Sequence, residues 1–287
     1  MFFNKSTLFL ILISFSKFLF AETANTPSSV PLPQAIQYFQ QTNGQFATCR
    51  NPNPNKTLLL IDATDDLSDA AKQFVLNNYI QQFENSNGWK ERGDTFSIVI
   101  LSNSPVAQMN SVTLCAPNSI QKDNGMINKG QVNNFKTTLE RAFVDMTKPG
   151  GGSKNTNLVE AVAEVYRSAT FKFADPGASR RLIIVSDLFQ NSTNINFYQK
   201  CKSGCPSFQD SLKQDNALAK YLQMAKPSLS SKDMVEVYHL QSRCNLSESI
   251  NKWWKGYFVS AGLPENNFIV KAELSGDCRK LPAKINN

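Results

Sequence analysis

The sequence predicts an α/β protein, with a mostly parallel central sheet, one antiparallel edge strand, and helices on both faces in a Rossmann-like three-layer arrangement. Three observations carry this prediction. The runs Leu58–Ile61, Ile98–Leu101 and Leu182–Val185 are apolar without polar alternation, the mark of strands buried on both faces. Segments with helical apolar spacing separate most of these runs, as crossovers between parallel strands require. Two of the runs stop abruptly at acids, Asp62 and Asp187, as a strand does when its C-terminal end opens into a site.

The chain has 287 residues, 41% hydrophobic and 18% charged, an ordinary globular balance with enough apolar content for a core. The formal net charge is +7, and without Lys5 and Lys17 the remaining 28 basic residues face 23 acidic ones, a net +5. No dense Lys/Arg run accompanies that mild excess, which argues against nucleic acid as a partner. Residues 1–21 read as a secretory signal peptide: Lys5 in a short basic start, an apolar stretch from Leu8 to Phe15, and a cleavage point after Ala21. Lys17 interrupts the pattern, which leaves an uncleaved anchor as the alternative. No later segment is long and apolar enough to span a bilayer, so the cleaved chain is expected to be periplasmic or secreted rather than an integral membrane protein. All six cysteines, Cys49, Cys115, Cys201, Cys205, Cys244 and Cys278, follow the signal, an even count that favours disulfides in an oxidising compartment. Zinc is the competing reading, but only Cys201 and Cys205 are closely spaced and the single histidine lies elsewhere.

Residues 22–55 form a Thr/Ser/Asn/Pro-rich leader with a short amphipathic helix carrying Ile36 and Phe39, and 56–274 form the folded body. Thr57–Asp62 is the first strand, and Ser68 caps a helix over about 68–84. After Gly93-Asp94 the second strand runs Thr95–Leu101. Val112–Cys115 follows with no helix between, so it pairs antiparallel at the sheet edge. Gln131–Met146 is helical, with Phe135, Leu139 and Phe143 on one face. Gly150-Gly151-Gly152 is a loop, and Thr156 or Asn157 caps the next helix through Val165. Arg181–Asp187 is the fourth strand. Leu188–Pro206 reads as a long polar loop, Phe208–Ala225 as one helix, Val235–Leu240 as the fifth strand, Leu246–Ser260 as a Trp-rich helix, and Phe268–Ala272 as the last strand. Residues 275–287 are a tail.

Asp62-Ala63-Thr64-Asp65-Asp66, Asn155-Thr156-Asn157-Leu158 and Ile183-Ile184-Val185-Ser186-Asp187 together resemble the von Willebrand factor A (VWA) fold. That family's metal-ion-dependent adhesion site uses an Asp-x-Ser-x-Ser motif, a distant Thr and a distant Asp. The resemblance covers nearly the whole body and is nearer to a divergent bacterial exported group than to integrin-type domains. It implies that Asp62, Thr64, Thr156 and Asp187 converge on a divalent cation, Mg²⁺ or alternatively Mn²⁺ or Ca²⁺. Asp66 stands where the motif has its second Ser. It is expected as a further ligand or as an acid just behind the ligands, and it makes the site more negative than the family pattern. The implied function is an exported binding module that engages a protein partner in the cell envelope or outside the cell, through or near this site, and not an enzyme. Two alternatives remain open: a metal-free scaffold in which Asp66 and its neighbours cap the first helix, and a metal-dependent hydrolase.

Rival chemistries fit less well. Phosphoaspartyl hydrolases need Asp-x-Asp, and Thr64 replaces the second acid. Gly150–Lys154 lacks the Gly-Lys-Ser/Thr core of a phosphate loop. His239, inside a strand, has no identifiable nucleophile and reads as a packed side chain. Trp254 and Phe258 read as core and Trp253 as exposed. Asn55, Asn191 and Asn245 head Asn-x-Ser/Thr triplets, glycan acceptors only in a eukaryotic secretory pathway. The strand directions place Cys49 and Cys115 at the edge away from the site, and Cys244 and Cys278 towards it. The expected bonds are therefore Cys49–Cys115, Cys244–Cys278 and Cys201–Cys205, each with Cα atoms within about 7 Å.

Overall fold

The computed structural model describes residues 53–64, 66–81, 94–101, 109–117, 125–148, 155–167, 173, 179–202, 204–240 and 246–274. They belong to a unit spanning Leu32–Asn287, and the chain's other unit, Met1–Pro31, lies outside them. The signal peptide, the leader helix, the glycine loop, the tail, Cys49, Cys244 and Cys278 also fall outside the described residues.

Six strands form one sheet: β1 (Asn55–Asp62), β2 (Thr95–Leu101), β3 (Asn110–Cys115), β4 (Ser179–Ser186), β5 (Asp233–Leu240) and β6 (Phe268–Leu274). Their spatial order is β3-β2-β1-β4-β5-β6. β3 runs antiparallel to β2, and every other neighbouring pair is parallel. The hairpin prediction therefore holds, and the reason is chain length: the link from Leu101 to Asn110 is too short for a crossover.

Alternation along each strand divides the core in two. On one face Leu58, Leu60, Leu182, Ile184, Val235 and Val237 pack against α3 (Leu158–Arg167), α6 (Asn216–Ala225) and α7 (Ser247–Ser260). On the other, Leu59, Ile61, Ile98, Ile100, Ile183 and Val185 meet α1 (Asp69–Val75), its π-helical continuation Leu76–Gln81, and α2 (Gly125–Met146). The result is a three-layer α/β/α body. Each such side chain removed from water contributes about 1.5–3 kcal/mol, and the polar residues that do sit inside strands are partnered, Ser97 by Thr113 at 2.8 Å and Glu236 by Arg181 at 2.8 Å.

The helix ends follow local chemistry. Ser68 caps α1 by accepting from the Ala71 N–H at 3.2 Å. α7 closes with Gly262 at φ 102°, its N–H donating to the Val259 carbonyl and the Leu263 N–H to the Phe258 carbonyl. A Cβ at Gly262 would lie 2.7 Å from the Leu229 carbonyl oxygen, so both the dihedral and the space call for glycine.

Four expectations need correction. Phe208–Ala225 is two helices, α5 (Phe208–Gln214) and α6, because the Asp215 backbone turns extended and its Oδ1 caps α6 through the Leu218 N–H at 2.9 Å. β4 ends at Ser186, one residue before Asp187. The polar loop after it contains a short helix, α4 (Phe197–Lys200), capped by Asn196. Trp253 is buried, not exposed: its ring packs edge-on against Phe197 and Phe208, and its Nε1–H reaches Ser211 Oγ at 3.1 Å.

The Cys201–Cys205 bond is present, with Cα atoms 4.2 Å apart, and removes the zinc reading for that pair. Cys115 is also disulfide-bonded, to a partner outside the described residues. Among the described residues no helix is long and apolar enough to cross a membrane.

Candidate functional site

Asp62 is the last residue of β1 and is only 7% exposed, so its carboxylate must be compensated by the protein around it. Oδ1 accepts from the Thr64 N–H at 3.1 Å and from Thr64 Oγ1–H at 2.6 Å. Oδ2 accepts from Ser186 Oγ–H at 2.8 Å. The Asp-x-Thr turn is thus closed on itself while β4, the neighbouring strand, clamps the other oxygen.

Thr64 Oγ1 also lies 3.1 Å from Thr156 Oγ1, joining residues far apart in sequence. Thr156 is held there by backbone pairing with the loop after β4: its N–H donates to the Asn191 carbonyl at 3.0 Å and its carbonyl accepts from the Asn191 N–H at 2.9 Å. The adjacent Gln190, fully buried, accepts the Val159 N–H at 2.8 Å through Oε1 and donates to Glu160 Oε2 at 2.7 Å. One side chain therefore satisfies an otherwise orphaned donor in the first turn of α3 and fixes the loop that carries Thr156.

β4 and β5 complete the edge. Ser186 Oγ accepts the Leu188 N–H at 2.8 Å, and the Leu188 carbonyl accepts Trp254 Nε1–H at 3.0 Å. Leu188 has φ 63°. Asp187 is partly buried, and its Oδ1 accepts the Phe189 N–H at 2.9 Å in an Asx turn. His239 is packed, as expected of a strand histidine, with Nε2 3.1 Å from the Asp187 carbonyl oxygen.

The structure therefore links Asp62 to Thr64, and Thr64 in turn to Thr156. Asp187 lies on the adjoining turn with one carboxylate oxygen on its own backbone, and Asp66 is exposed two residues past Thr64. Ser186 and Gln190 were not anticipated. The signal for Ser186 was its place before an acid at the end of a buried strand, whereas nothing local marks Gln190, whose partners come from another element.

The donor set consists of carboxylate and hydroxyl oxygens, which suits hard cations such as Mg²⁺ and Ca²⁺. The 3.1 Å separation of Thr64 and Thr156 is that of a hydrogen bond between the two hydroxyls. Among the described residues no group of three or more His, Cys, Asp or Glu side chains gathers as a metal cluster, so a cation here would depend on the hydroxyls.

No protein-family model matches the chain, and no curated protein matches it. Similar solved structures include the pilus adhesin SpaC from Lactobacillus rhamnosus GG in its open conformation, at 12% identity and a TM-score of 0.43, covering 78% of this chain and 28% of that one. Another is the three N-terminal domains of the type V pili tip protein Mfa5 from Porphyromonas gingivalis, at 10% identity and a TM-score of 0.27, covering 48% of this chain and 20% of that one. The chain thus spans under a third of either protein structure.

Proposed function

We propose that the chain is an exported binding module of the VWA type, which takes a divalent cation at the Asp62 edge and engages a protein partner through or near it. The observation that carries this reading is the buried relay from Asp62 through Thr64 to Thr156, three oxygen-bearing side chains delivered by two separate segments to the C-terminal edge of a parallel sheet. Ligands of open α/β sheets gather at that edge. The parallel sheet with one antiparallel edge strand supports the same fold. Asp187 supplies the second acid from the neighbouring turn. Asp66 adds negative charge at the rim, favouring the cation and weakening attraction for an acidic partner group. The Cys201–Cys205 bond supports a periplasmic or secreted location.

The second reading, a metal-free scaffold, also has an observation in its favour: both oxygens of Asp62 already accept hydroxyl hydrogen bonds. Calorimetric titration with Mg²⁺, Mn²⁺ and Ca²⁺ separates the two. The binding module gives heat that Asp62→Ala abolishes, and a ligand at 100 times its Kd stabilises the fold by about 2.7 kcal/mol. Absence of both heat and thermal shift with every cation would establish the scaffold. With a cation bound, capture from the cell-envelope fraction that EDTA reverses would identify the partner.

A further inference from the structure

We infer that the Cys201–Cys205 disulfide is an exchangeable site, opened by a dithiol reductant, which latches the loop that holds Thr156 and so makes cation binding at the Asp62 edge depend on redox state. The effect on the cation rests on the function proposed above, whereas the latch rests on a path of bonds. The two cysteines stand four residues apart in sequence and in different surroundings. Cys201 is 1% exposed, lies in the apolar core and ends α4, its N–H donating to the Phe197 carbonyl at 2.8 Å. Cys205 is half-buried at the margin of that core, and its N–H donates to Ser249 Oγ in the first turn of α7 at 3.0 Å. The disulfide therefore staples α4 to α7.

From α4 the path to Thr156 is continuous. The Phe197 N–H donates to the Gln190 carbonyl at 2.9 Å. Asn196, which caps α4, donates from Nδ2 to Asn191 Oδ1 at 3.0 Å. Asn191 in turn makes the paired backbone bonds that hold Thr156. α4 is four residues long, and a single helical turn has little stability of its own. It depends on the packing of Phe197 and on the staple at its end. In the chain-entropy model, closing so short a loop favours its closed form about 30-fold.

The bond is open to attack at Cys205. Lys202 is exposed, Gly204 is half-buried, and a Cβ built on Gly204 would meet nothing within 4 Å, so this side of the loop has room for a reagent. Cys115, the other disulfide-bonded cysteine among the described residues, is buried at the end of β3. Exchange runs in two steps. One thiolate of the dithiol attacks Cys205 Sγ; the S–S bond breaks, and its electron pair leaves on Cys201 Sγ, which takes up a proton. The dithiol's second thiolate then attacks the reagent sulfur of the mixed disulfide and releases Cys205, which is protonated in turn. Two electrons and two protons pass to the protein, and the dithiol leaves as its own disulfide.

The test uses the full chain. Brief dithiothreitol treatment without denaturant, followed by thiol blocking and peptide mapping, should modify Cys201 and Cys205 and spare Cys115. Cys115 opening first, or together with them, overturns the exchange step. The Cys201→Ser/Cys205→Ser variant reads the latch in amide nitrogen–proton magnetic resonance spectra: the Thr156 and Asn191 peaks move or broaden, and those of β1 and β2 stay in place. Changes confined to residues 197–207 overturn the latch. So does loss of the folded spectrum in both the variant and the reduced parent, which would make the bond a requirement for folding. Calorimetric titration with Mg²⁺ tests the consequence, an affinity about fivefold or more weaker in the variant. Equal Mg²⁺ affinity in the two proteins overturns the inference. No Mg²⁺ binding by either protein, with the Thr156 peak displaced, would reject the cation reading and support the latch alone.

Discussion

Replacing Ser186 with alanine tests whether the site edge is one hydrogen-bonded unit. Ser186 is fully buried, donates to Asp62 Oδ2 at 2.8 Å and accepts the Leu188 N–H at 2.8 Å. Alanine removes a bond to an ionised carboxylate, worth about 1.5–3 kcal/mol, and leaves a backbone N–H without its acceptor, at about 1–3 kcal/mol. The two losses share one atom and are not additive, so the expected destabilisation is about 3 kcal/mol. For a body of this size that lowers Tm by roughly 6–12 °C. Urea denaturation with fluorescence of the buried Trp253 and Trp254 measures it directly, and Ser186→Thr, which keeps the hydroxyl, should recover most of the loss. A Ser186→Ala protein within 1 kcal/mol of the parent, roughly the worth of one neutral hydrogen bond, would refute the coupling of β1 to β4 described above.

Glu236→Gln breaks the fork to Arg181, whose side chain is 15% exposed while that of Glu236 is 3% exposed. Gln keeps one acceptor for the guanidinium and Arg181 has a further interaction, so the change removes one charge-assisted bond and the expected loss is about 1.5–3 kcal/mol, measured by the same urea titration. The helix glycines should diverge under calorimetric melting. Gly130→Ala gains up to about 1 kcal/mol of helix propensity, since a Cβ there meets nothing within 4 Å. At Gly256→Ala the new Cβ falls 2.6 Å from Phe208 Cβ, and overpacking of about 1–3 kcal/mol outweighs that gain. Trp254→Phe leaves the Leu188 carbonyl without its indole donor and should cost at least about 1 kcal/mol, with the near-ultraviolet circular dichroism of the site edge altered.

The sheet was legible because burial on both faces imposes a composition on the strand itself. Leu58–Ile61 and Leu182–Val185 announce their position without reference to any partner, and the lack of an intervening helix gave the direction of β3. The relay from Asp62 through Thr64 to Thr156 was legible through a motif, which is a statement about spacing along the chain. Ser186 and Gln190 escaped because their roles are set by atoms from other elements. The break at Asp215 could have been read, since an Asp ahead of an apolar helical run is a standard cap. It was missed because no glycine or proline separates the two apolar-bearing segments, Phe208–Gln214 and Asn216–Ala225. Trp253 was misplaced because a single helix-face assignment assumes one packing surface, whereas α7 is enclosed by the sheet on one side and by Phe197 and Phe208 on another.

Leu188 carries two demands that no single side chain meets at ease. Its φ of 63° suits glycine or asparagine, and holding leucine there costs about 1–2 kcal/mol. Its surroundings, closed entirely to solvent, ask for a large hydrocarbon. Glycine would relax the backbone and open a void, asparagine would relax it and bury an amide, and any other aliphatic residue would keep the strain. The turn that carries Asp187 is therefore a point of compromise, where most substitutions trade one defect for another and an engineer seeking a more stable variant should leave the sequence alone.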